Sequence, residues 1–229
     1  MTPPSRDLFV YESVLDTIGW TPLIRLRRVT QGIRTPVWVK VESKNPGASI
    51  KDRIGIRIIE RAEREGKLKP GGTIVEGTSG NTGVGLALAA TQKGYHCIFT
   101  MPDKMSQEKV RLLKAYGADV IITPTAVPPD HPDNYVMMAK RIASETPNAV
   151  LANQFYNDAN PQAHFESTGP EIWEQTGGRV THVVAGAGTG GTITYALDAD
   201  SGPLPPGLSL SPNVATPSSP AMITGTPTT

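Results

Sequence analysis

The sequence has little cysteine, no long apolar run and almost no net charge, and each shortage excludes a class of protein. Its single cysteine, Cys97, excludes a disulfide framework and a cysteine cluster around a metal. No stretch of about 18 apolar residues is present, so no membrane-spanning helix is predicted. Lys and Arg number 22 against 21 Asp and Glu, which argues against a broad nucleic-acid-binding face. The histidines His96, His131, His164 and His182 lack metal-ligand spacing. Because the first residues also lack the apolar segment of a secretory signal, we expect a soluble cytoplasmic protein.

What the chain does contain, over residues 1–194, is an alternation of strand-like and helix-like stretches. Apolar residues at helical spacing between Ile54 and Ala62 predict an amphipathic helix, and a second, apolar helix is predicted to end at Gly94. A third helix should run over residues 107–116, with Ser106 as its N-cap and Gly117 after it. Buried strands are predicted at 37–41, 73–75, 96–100, 119–123 and 181–185, and a proline-rich loop at 124–133. The alternation implies parallel βαβ units, whose ligands bind at the carboxyl ends of strands.

The first candidate site is the segment NPGASIKDR at residues 45–53, in which a Gly/Pro turn leads into a predicted helix. Lys51 would lie in the first turn of this helix. A lysine there faces the positive end of the helix dipole, which disfavours the ammonium form and lowers its pKa. Such a lysine suits Schiff-base chemistry. The alternative is a solvated surface lysine.

The second candidate site is EGTSGNTG at residues 76–83, between a predicted strand and the apolar helix. Hydroxyls, an amide and free backbone N–H groups converge there on a helix N-terminus. This combination favours binding of a carboxylate or a phosphate. The alternative is that Ser79 or Asn81 caps the helix.

The third candidate site is GAGTGGT at residues 186–192, directly after the predicted strand at 181–185. Glycines let the backbone wrap a phosphate closely, and threonine hydroxyls add donors. The alternative, a dinucleotide fingerprint, needs a second strand with an acidic residue about 20 residues further on. Asp198 and Asp200 come too early for that role and lie in a proline-rich stretch.

SIKDR, TSGNTG and GTGGT, in this order along an α/β chain, together resemble the fold-type II enzymes that use pyridoxal 5′-phosphate. The likeness covers about residues 13–194. Within that family, MPDKMSQEKVRLLKAYGADV and NQFYNDANPQAHFESTGPEIW look closest to the cystathionine β-synthases, with the cysteine synthases as near relatives. The resemblance implies open parallel sheets flanked by helices, a second, larger domain that is truncated here, and no metal.

The resemblance also assigns a role to each motif. It implies that Lys51 carries the cofactor covalently and moves the α-proton of the substrate, and that Asn81 hydrogen-bonds the cofactor's ring hydroxyl. Binding of the substrate carboxylate is implied for Ser79, Thr82 and Gln154. The residues implied to cradle the cofactor phosphate are Gly188, Thr189, Gly190, Gly191 and Thr192.

The reaction implied by the resemblance is a β-replacement on serine or an activated serine, in transsulfuration or cysteine biosynthesis. With homocysteine as the incoming thiol the product is cystathionine. A cysteine synthase would use sulfide instead, and a third alternative is a truncated fragment that binds the cofactor without catalysis. The expected partners are small-molecule amino acids and thiols, with no nucleic acid and no membrane, and the family implies a homodimer.

The composition changes near Thr194. Residues 195–229 contain seven Pro, three Gly and no Lys or Arg, which predicts a disordered Pro/Ser/Thr tail or a fragment resembling a bacterial immunoglobulin-like domain. We therefore expect a catalytic region at 1–194, incomplete at its C-terminal end, and a separate tail at 195–229. Because prolines prevent the tail from supplying the family's next helix, we expect the chain to be a weak enzyme.

Overall fold

The computed structural model describes residues 10–78, 80–186, 208–210 and 223–225. The chain divides into two compact units, Thr2–Ala159 and Asn160–Thr229. The strands are β1 (Leu23–Arg25), β2 (Trp38–Lys40), β3 (Thr73–Gly77), β4 (His96–Pro102), β5 (Asp119–Thr123), β6 (Ala149–Leu151), β7 (Leu208–Leu210) and β8 (Ile223–Gly225). The helices are α1 (Lys51–Arg64), α2 (Asn81–Lys93), α3 (Gln107–Ala115), α4 (Tyr135–Glu145), α5 (Ala159–Ala163) and α6 (Gly169–Gln175). In the described part of the chain, no helix is both long enough and apolar enough to cross a bilayer.

A four-stranded parallel sheet lies in the first unit, with its strands in the order β5–β4–β3–β6. The helices α2, α3 and α4 pack against this sheet. Its inner strands are buried, as the covering of a parallel sheet by helices requires, and the side chains of Ile74 and Phe99 are fully buried. The predicted α/β fold with a parallel sheet flanked by helices is confirmed.

Helix boundaries predicted from single residues agree with the structure to within one residue. Gly94 directly follows α2 as its C-cap, and its φ of 75° lies in the left-handed region that favours glycine. The Ser106 hydroxyl accepts the backbone N–H of Lys109 at the start of α3, and Gly117 follows the end of that helix with a φ of 85°. Residues 124–133 form a loop, as their prolines predict.

Three of the strand predictions need correction. The strand at 119–123 forms as β5, but it lies at the edge of the sheet and is largely exposed rather than buried: Ile121 is 37% and Ile122 is 46% exposed. The strand within 37–41 forms, but it is exposed rather than buried. Among the strands that the structure describes, β2 pairs with β1 alone, in an antiparallel ribbon, and Trp38 is half exposed. Residues 181–185 form no strand, and Val184 is 76% exposed. A β-branched run becomes a strand only where a neighbouring strand pairs with it, and residues 181–185 pair with no strand that the structure describes.

The second unit begins with a nearly continuous helical stretch. A π-helical turn, His164–Thr168, joins α5 to α6, and the Ser167 hydroxyl donates to the Ala163 carbonyl at 2.6 Å. Further along, β7 and β8 pair antiparallel, with Leu208 opposite Gly225. Apart from these two strands, the predicted tail at 195–229 and its boundary near Thr194 lie outside the described residues.

Candidate active site

Lys51 is the first residue of α1. The Ser49 hydroxyl accepts the Lys51 backbone N–H at 3.1 Å, and the Asn45 side-chain amide donates to the Ser49 carbonyl at 3.2 Å. These bonds close the Gly/Pro turn and fix where the helix begins. Burial lowers the pKa of the Lys51 amine. The predicted direction of the shift is confirmed, but the cause is desolvation of the charged form rather than the helix dipole.

A buried ion pair anchors the segment that leads into α1. Arg53, which is 2% exposed, donates through Nε to Glu42 Oε2 at 2.8 Å and through Nη2 to Glu42 Oε1 at 2.9 Å. The Thr21 hydroxyl and the Asn45 amide donate to the same carboxylate at 2.6 and 2.9 Å. Burial acts to raise the pKa of Glu42, but the bonds from Arg53, Thr21 and Asn45 outweigh it and hold the pKa below its ordinary value. A buried polar network whose members are all paired is rigid. The network therefore holds the turn before Lys51 in place.

Asp52, the residue after Lys51, closes the same turn from the helix side. Its Oδ2 accepts the Gly47 N–H at 2.6 Å, whereas its buried Oδ1 has no hydrogen-bond partner among the residues described. Burial raises the pKa of Asp52 to about 6, although the N–H groups of Gly47 and Ser49 act in the opposite direction. The folded protein therefore binds a proton at Asp52 more tightly than the unfolded chain does.

We expect Asp52 to make the protein less stable as the pH rises. Its ordinary pKa is 3.8 and its folded pKa is about 6, so its stabilising contribution is complete below the ordinary value and is lost as the pH rises through about 6. The free energy of unfolding of the wild type minus that of Asp52→Asn should fall by on the order of 3 kcal/mol between about pH 4 and about pH 8. Urea unfolding at a series of pH values measures this difference. Asp130→Asn, on an exposed loop, is measured in parallel as a surface variant, and a constant difference for Asp52→Asn across the pH series would contradict the expectation.

The loop after β3 delivers Asn81 and Thr82 to the start of α2. Thr78 binds two buried backbone N–H groups at the start of this helix: its hydroxyl accepts the Gly80 N–H at 3.1 Å and the Gly83 N–H at 3.3 Å. Asn81 is the first helical residue and is exposed. The alternative that Asn81 caps α2 is therefore wrong, and its side chain is available to a ligand.

Gly80 fixes the path of this loop. Its φ of 139° is a backbone conformation that residues other than glycine rarely adopt. A Cβ added at this position would lie 2.8 Å from Lys109 Cδ. The Lys109 side chain thus crosses the loop at the N-terminus of α2. Its ammonium group adds positive charge where the helix dipole already favours anions.

α1 and α2 cross where two glycines meet. A Cβ on Gly55 would collide with the Gly85 backbone, and a Cβ on Gly85 would lie 2.5 Å from the Lys51 carbonyl oxygen. Asn81 precedes Gly85 by one helical turn and so shares its face of α2. The crossing therefore places the backbone of Lys51 against Gly85, one helical turn after Asn81.

Thr82 and Gln154, 72 residues apart, are in contact: the Thr82 hydroxyl donates to Gln154 Oε1, and both side chains are buried. This contact joins the start of α2 to the segment that follows β6. That both residues bind a substrate carboxylate stays a prediction.

Sequence reasoning missed Glu76, which is 2% exposed. Its carboxylate accepts the backbone N–H groups of Asn153 and Gln154, and burial raises its pKa to about 7 against those two bonds. The signal that could have found it is a carboxylate inside the otherwise apolar strand TIVEG.

Several predicted site residues lie outside the described part of the chain. In the third motif the structure describes Gly186 alone. The residues whose assignments stay predictions for this reason are Ser79, Gly188, Thr189, Gly190, Gly191 and Thr192.

Comparison with known proteins finds relatives over most of the chain. A family model described as "Pyridoxal-phosphate dependent enzyme" matches residues 14–194. Cystathionine β-synthase of Rattus norvegicus is 49% identical over 195 residues, which cover 84% of this chain and 35% of that protein. Cysteine synthase 1 of Emericella nidulans is 50% identical over 190 residues, which cover 82% of this chain and 51% of that protein. The chain thus spans about half or less of the length of these relatives.

Solved structures share the fold. The structure of an O-ureido-L-serine synthase superposes with a TM-score of 0.74 at 43% identity, covering 81% of this chain and 58% of that chain. A hydrogen sulfide-producing enzyme from Fusobacterium nucleatum superposes with a TM-score of 0.75 at 37% identity, covering 81% of this chain and 60% of that chain.

Proposed function

Because the chain belongs to the pyridoxal-phosphate-dependent enzyme family, we propose that it catalyses a β-replacement, in which a thiol takes the place of the β-substituent of serine or of an activated serine. The observation that carries the proposal is a partly buried lysine with a lowered pKa, Lys51, at the start of α1 and against Gly85 of α2. The relatives named cystathionine β-synthase and cysteine synthase support this class of substrate.

The residues present fit pyridoxal 5′-phosphate. Lys51 supplies a primary amine for covalent attachment, and Asn81, exposed at the first turn of α2, would hydrogen-bond the ring hydroxyl. The glycine and threonine residues at 188–192 would hold the phosphate. When bound, the cofactor supplies an electron sink that stabilises negative charge on the substrate's α-carbon.

Lys51 would also move the α-proton of the amino acid. A general base has to be deprotonated, and the desolvation that lowers the pKa of Lys51 increases the neutral fraction of its amine near neutral pH. Its backbone is fixed on two sides, by the Ser49 hydroxyl and by the close approach of Gly85. The amine therefore extends from a rigid point of the fold.

We assign the α-carboxylate of the substrate to the start of α2. The Thr82 hydroxyl, which donates to Gln154 Oε1, and the Gln154 NH2 group lie together there. A bound carboxylate would accept from the NH2 group and, once the hydroxyl turns its proton away from Gln154, from Thr82 as well; Ser79 is assigned from its place in the motif TSGNTG. The positive end of the α2 dipole and the nearby ammonium group of Lys109 favour an anion at this place. Neutral donors at a helix N-terminus suit one carboxylate.

Thr82→Val should weaken binding of the amino acid by roughly 10-fold or more and leave cofactor binding unchanged. The substitution keeps the shape of the side chain but removes the hydroxyl, and a hydrogen bond to a charged group contributes about 1.5–3 kcal/mol. Amino-acid titrations and the visible absorbance of the bound cofactor measure the two effects. Thr82→Ser, which keeps the hydroxyl, should bind the amino acid nearly as well as the wild type. Loss of the cofactor from Thr82→Val would contradict this assignment.

The two candidate activities differ in the thiol that the chain would use as its second substrate. Homocysteine is our first proposal, supported by the relative from Rattus norvegicus, and sulfide is the second, supported by the relative from Emericella nidulans. The chain is incubated with pyridoxal phosphate and either serine plus homocysteine or O-acetylserine plus sulfide, and the products are identified by mass spectrometry. Cystathionine supports the first proposal and cysteine the second. A chain that binds the cofactor but forms neither product would be a cofactor-binding fragment without catalysis.

A further inference from the structure

β3 and β6 diverge at the point where the candidate site begins. Ala152 N–H still donates to the Val75 carbonyl at 2.9 Å. Asn153 then adopts a φ of 50°, in the left-handed region, and turns the chain away from the sheet. At this turn the Glu76 carboxylate replaces the backbone acceptors: Oε2 accepts the Asn153 N–H at 2.7 Å and Oε1 accepts the Gln154 N–H at 3.3 Å.

We propose that Glu76 is a positioning residue for the substrate carboxylate: it holds the turn after β6 so that the Gln154 side chain reaches Thr82. This inference rests on the proposed function, because it deepens the role assigned there to Gln154 and Thr82. A line of contacts runs from the Glu76 carboxylate through the Gln154 backbone and side chain to the Thr82 hydroxyl. Glu76 acts through this line and does not itself touch the substrate.

The chemistry of a carboxylate distinguishes this contact from ordinary packing. Two carboxylate oxygens accept two N–H groups at once, whereas the amide of glutamine would turn an NH2 group towards one of them. Burying a carboxylate that is held by N–H groups rather than by a cation is costly. That the protein buries this carboxylate despite the cost is consistent with a need for both of its oxygens as hydrogen-bond acceptors at the Asn153–Gln154 turn.

Burial and the two N–H groups govern the ionisation of Glu76. The ionisable side chains on the elements packed against β3 are His96, Cys97, Lys93, Tyr135, Lys140, Arg141 and Glu145. None of these is a cause of the shift that brings the pKa of Glu76 to about 7. Only the ionised form accepts both N–H groups, so the contribution of Glu76 to amino-acid binding should appear as the pH rises through about 7.

Calorimetric titration of serine into the holoenzyme tests the proposal. The variant is Glu76→Gln, and the control is Glu60→Gln, at a partly exposed position on α1 where Glu60 pairs with Arg57. At about pH 8.5 we expect Glu76→Gln to weaken serine binding roughly 10-fold and Glu60→Gln to change it by less than about 2-fold. At about pH 6, where Glu76 of the wild type is itself protonated, the ratio of dissociation constants between Glu76→Gln and the wild type should approach 1. A ratio that is the same at both pH values overturns the proposal, since a merely structural defect does not follow this ionisation.

Amide NMR without amino acid separates the failure of this inference from the failure of the proposed function. In the wild type, the Asn153 and Gln154 amide resonances should shift with a midpoint near pH 7, and in Glu76→Gln they should not. If serine binds equally well to Glu76→Gln while Thr82→Val weakens its binding, the carboxylate site stands and the role of Glu76 is refuted. If neither substitution changes the affinity, the carboxylate site itself is wrong and this inference fails with it.

If Glu76→Gln does not fold, serine binding can be measured on Glu76→Asp instead. Aspartate retains the charge, but it is one methylene shorter and cannot reach both N–H groups. We expect serine affinity between those of the wild type and Glu76→Gln. Wild-type affinity in Glu76→Asp at about pH 8.5 would contradict a role that depends on both bonds.

Discussion

Alanine in place of Lys51 is expected to lower turnover by roughly three orders of magnitude or more. The substitution removes both the amine that would attach the cofactor and the base that would move the α-proton. The fold should be kept, because the Ser49 hydroxyl binds the backbone N–H at this position rather than the side chain. The steady-state rate of β-replacement and the unfolding transition measure the two effects.

Lys44→Ala is the matched control. Lys44 is an exposed lysine a few residues earlier in the chain, in the 3₁₀ helix Glu42–Lys44, and we expect its removal to leave turnover unchanged. Lys51→Arg shows whether turnover needs only a positive charge at this position or a reactive amine. A guanidinium keeps the positive charge but is not deprotonated near neutral pH. This variant should be as inactive as Lys51→Ala. Wild-type turnover in either Lys51 variant would contradict the assignment.

Gly85→Ala is expected to destabilise the fold by up to about 3 kcal/mol and to lower turnover as well. The added Cβ would lie 2.5 Å from the Lys51 carbonyl oxygen and 3.0 Å from Asp52 Cα. Backbone atoms of a helix cannot move aside as a flexible side chain does, so α1 and α2 would have to separate. The separation would move Lys51 away from Asn81. Urea unfolding and turnover, measured on the same preparation, test both effects.

Gly169→Ala is the control for the effect of alanine in a helix. At Gly169, the first residue of α6, a Cβ would meet the His164 carbonyl oxygen at 3.5 Å, which is an ordinary contact. Alanine there should be neutral or should stabilise by at most about 1 kcal/mol, because it forms helices better than glycine. Equal effects at the two positions would show that the α1–α2 crossing is not tightly packed.

Local features of the fold could be predicted from single residues. The turn before Lys51, the left-handed Gly94 at the end of α2 and the Ser106 cap of α3 each depend on a short-range interaction with strong residue preferences. The resemblance to pyridoxal-phosphate enzymes likewise rested on three short motifs. The family match over residues 14–194 confirms it, together with the cofactor that it implies.

Features that depend on distant segments could not be predicted in this way. Residues 181–185 have strand-like composition, but a strand also needs a neighbour, and composition does not reveal one. The contacts of Glu76 with Asn153 and of Thr82 with Gln154 join residues more than 70 positions apart. The cause of the lowered pKa of Lys51 was missed for the same reason, because its desolvation arises from tertiary packing.

The central claim, that Lys51 binds pyridoxal phosphate covalently, is tested most directly by trapping that bond. The chain is incubated with pyridoxal phosphate and treated with borohydride, which makes a linkage between lysine and an aldehyde permanent, and the digested protein is mapped by mass spectrometry. The account predicts one main modified peptide, which contains Lys51, and its absence from Lys51→Ala. A label found mainly on another lysine, or on none, would contradict the account.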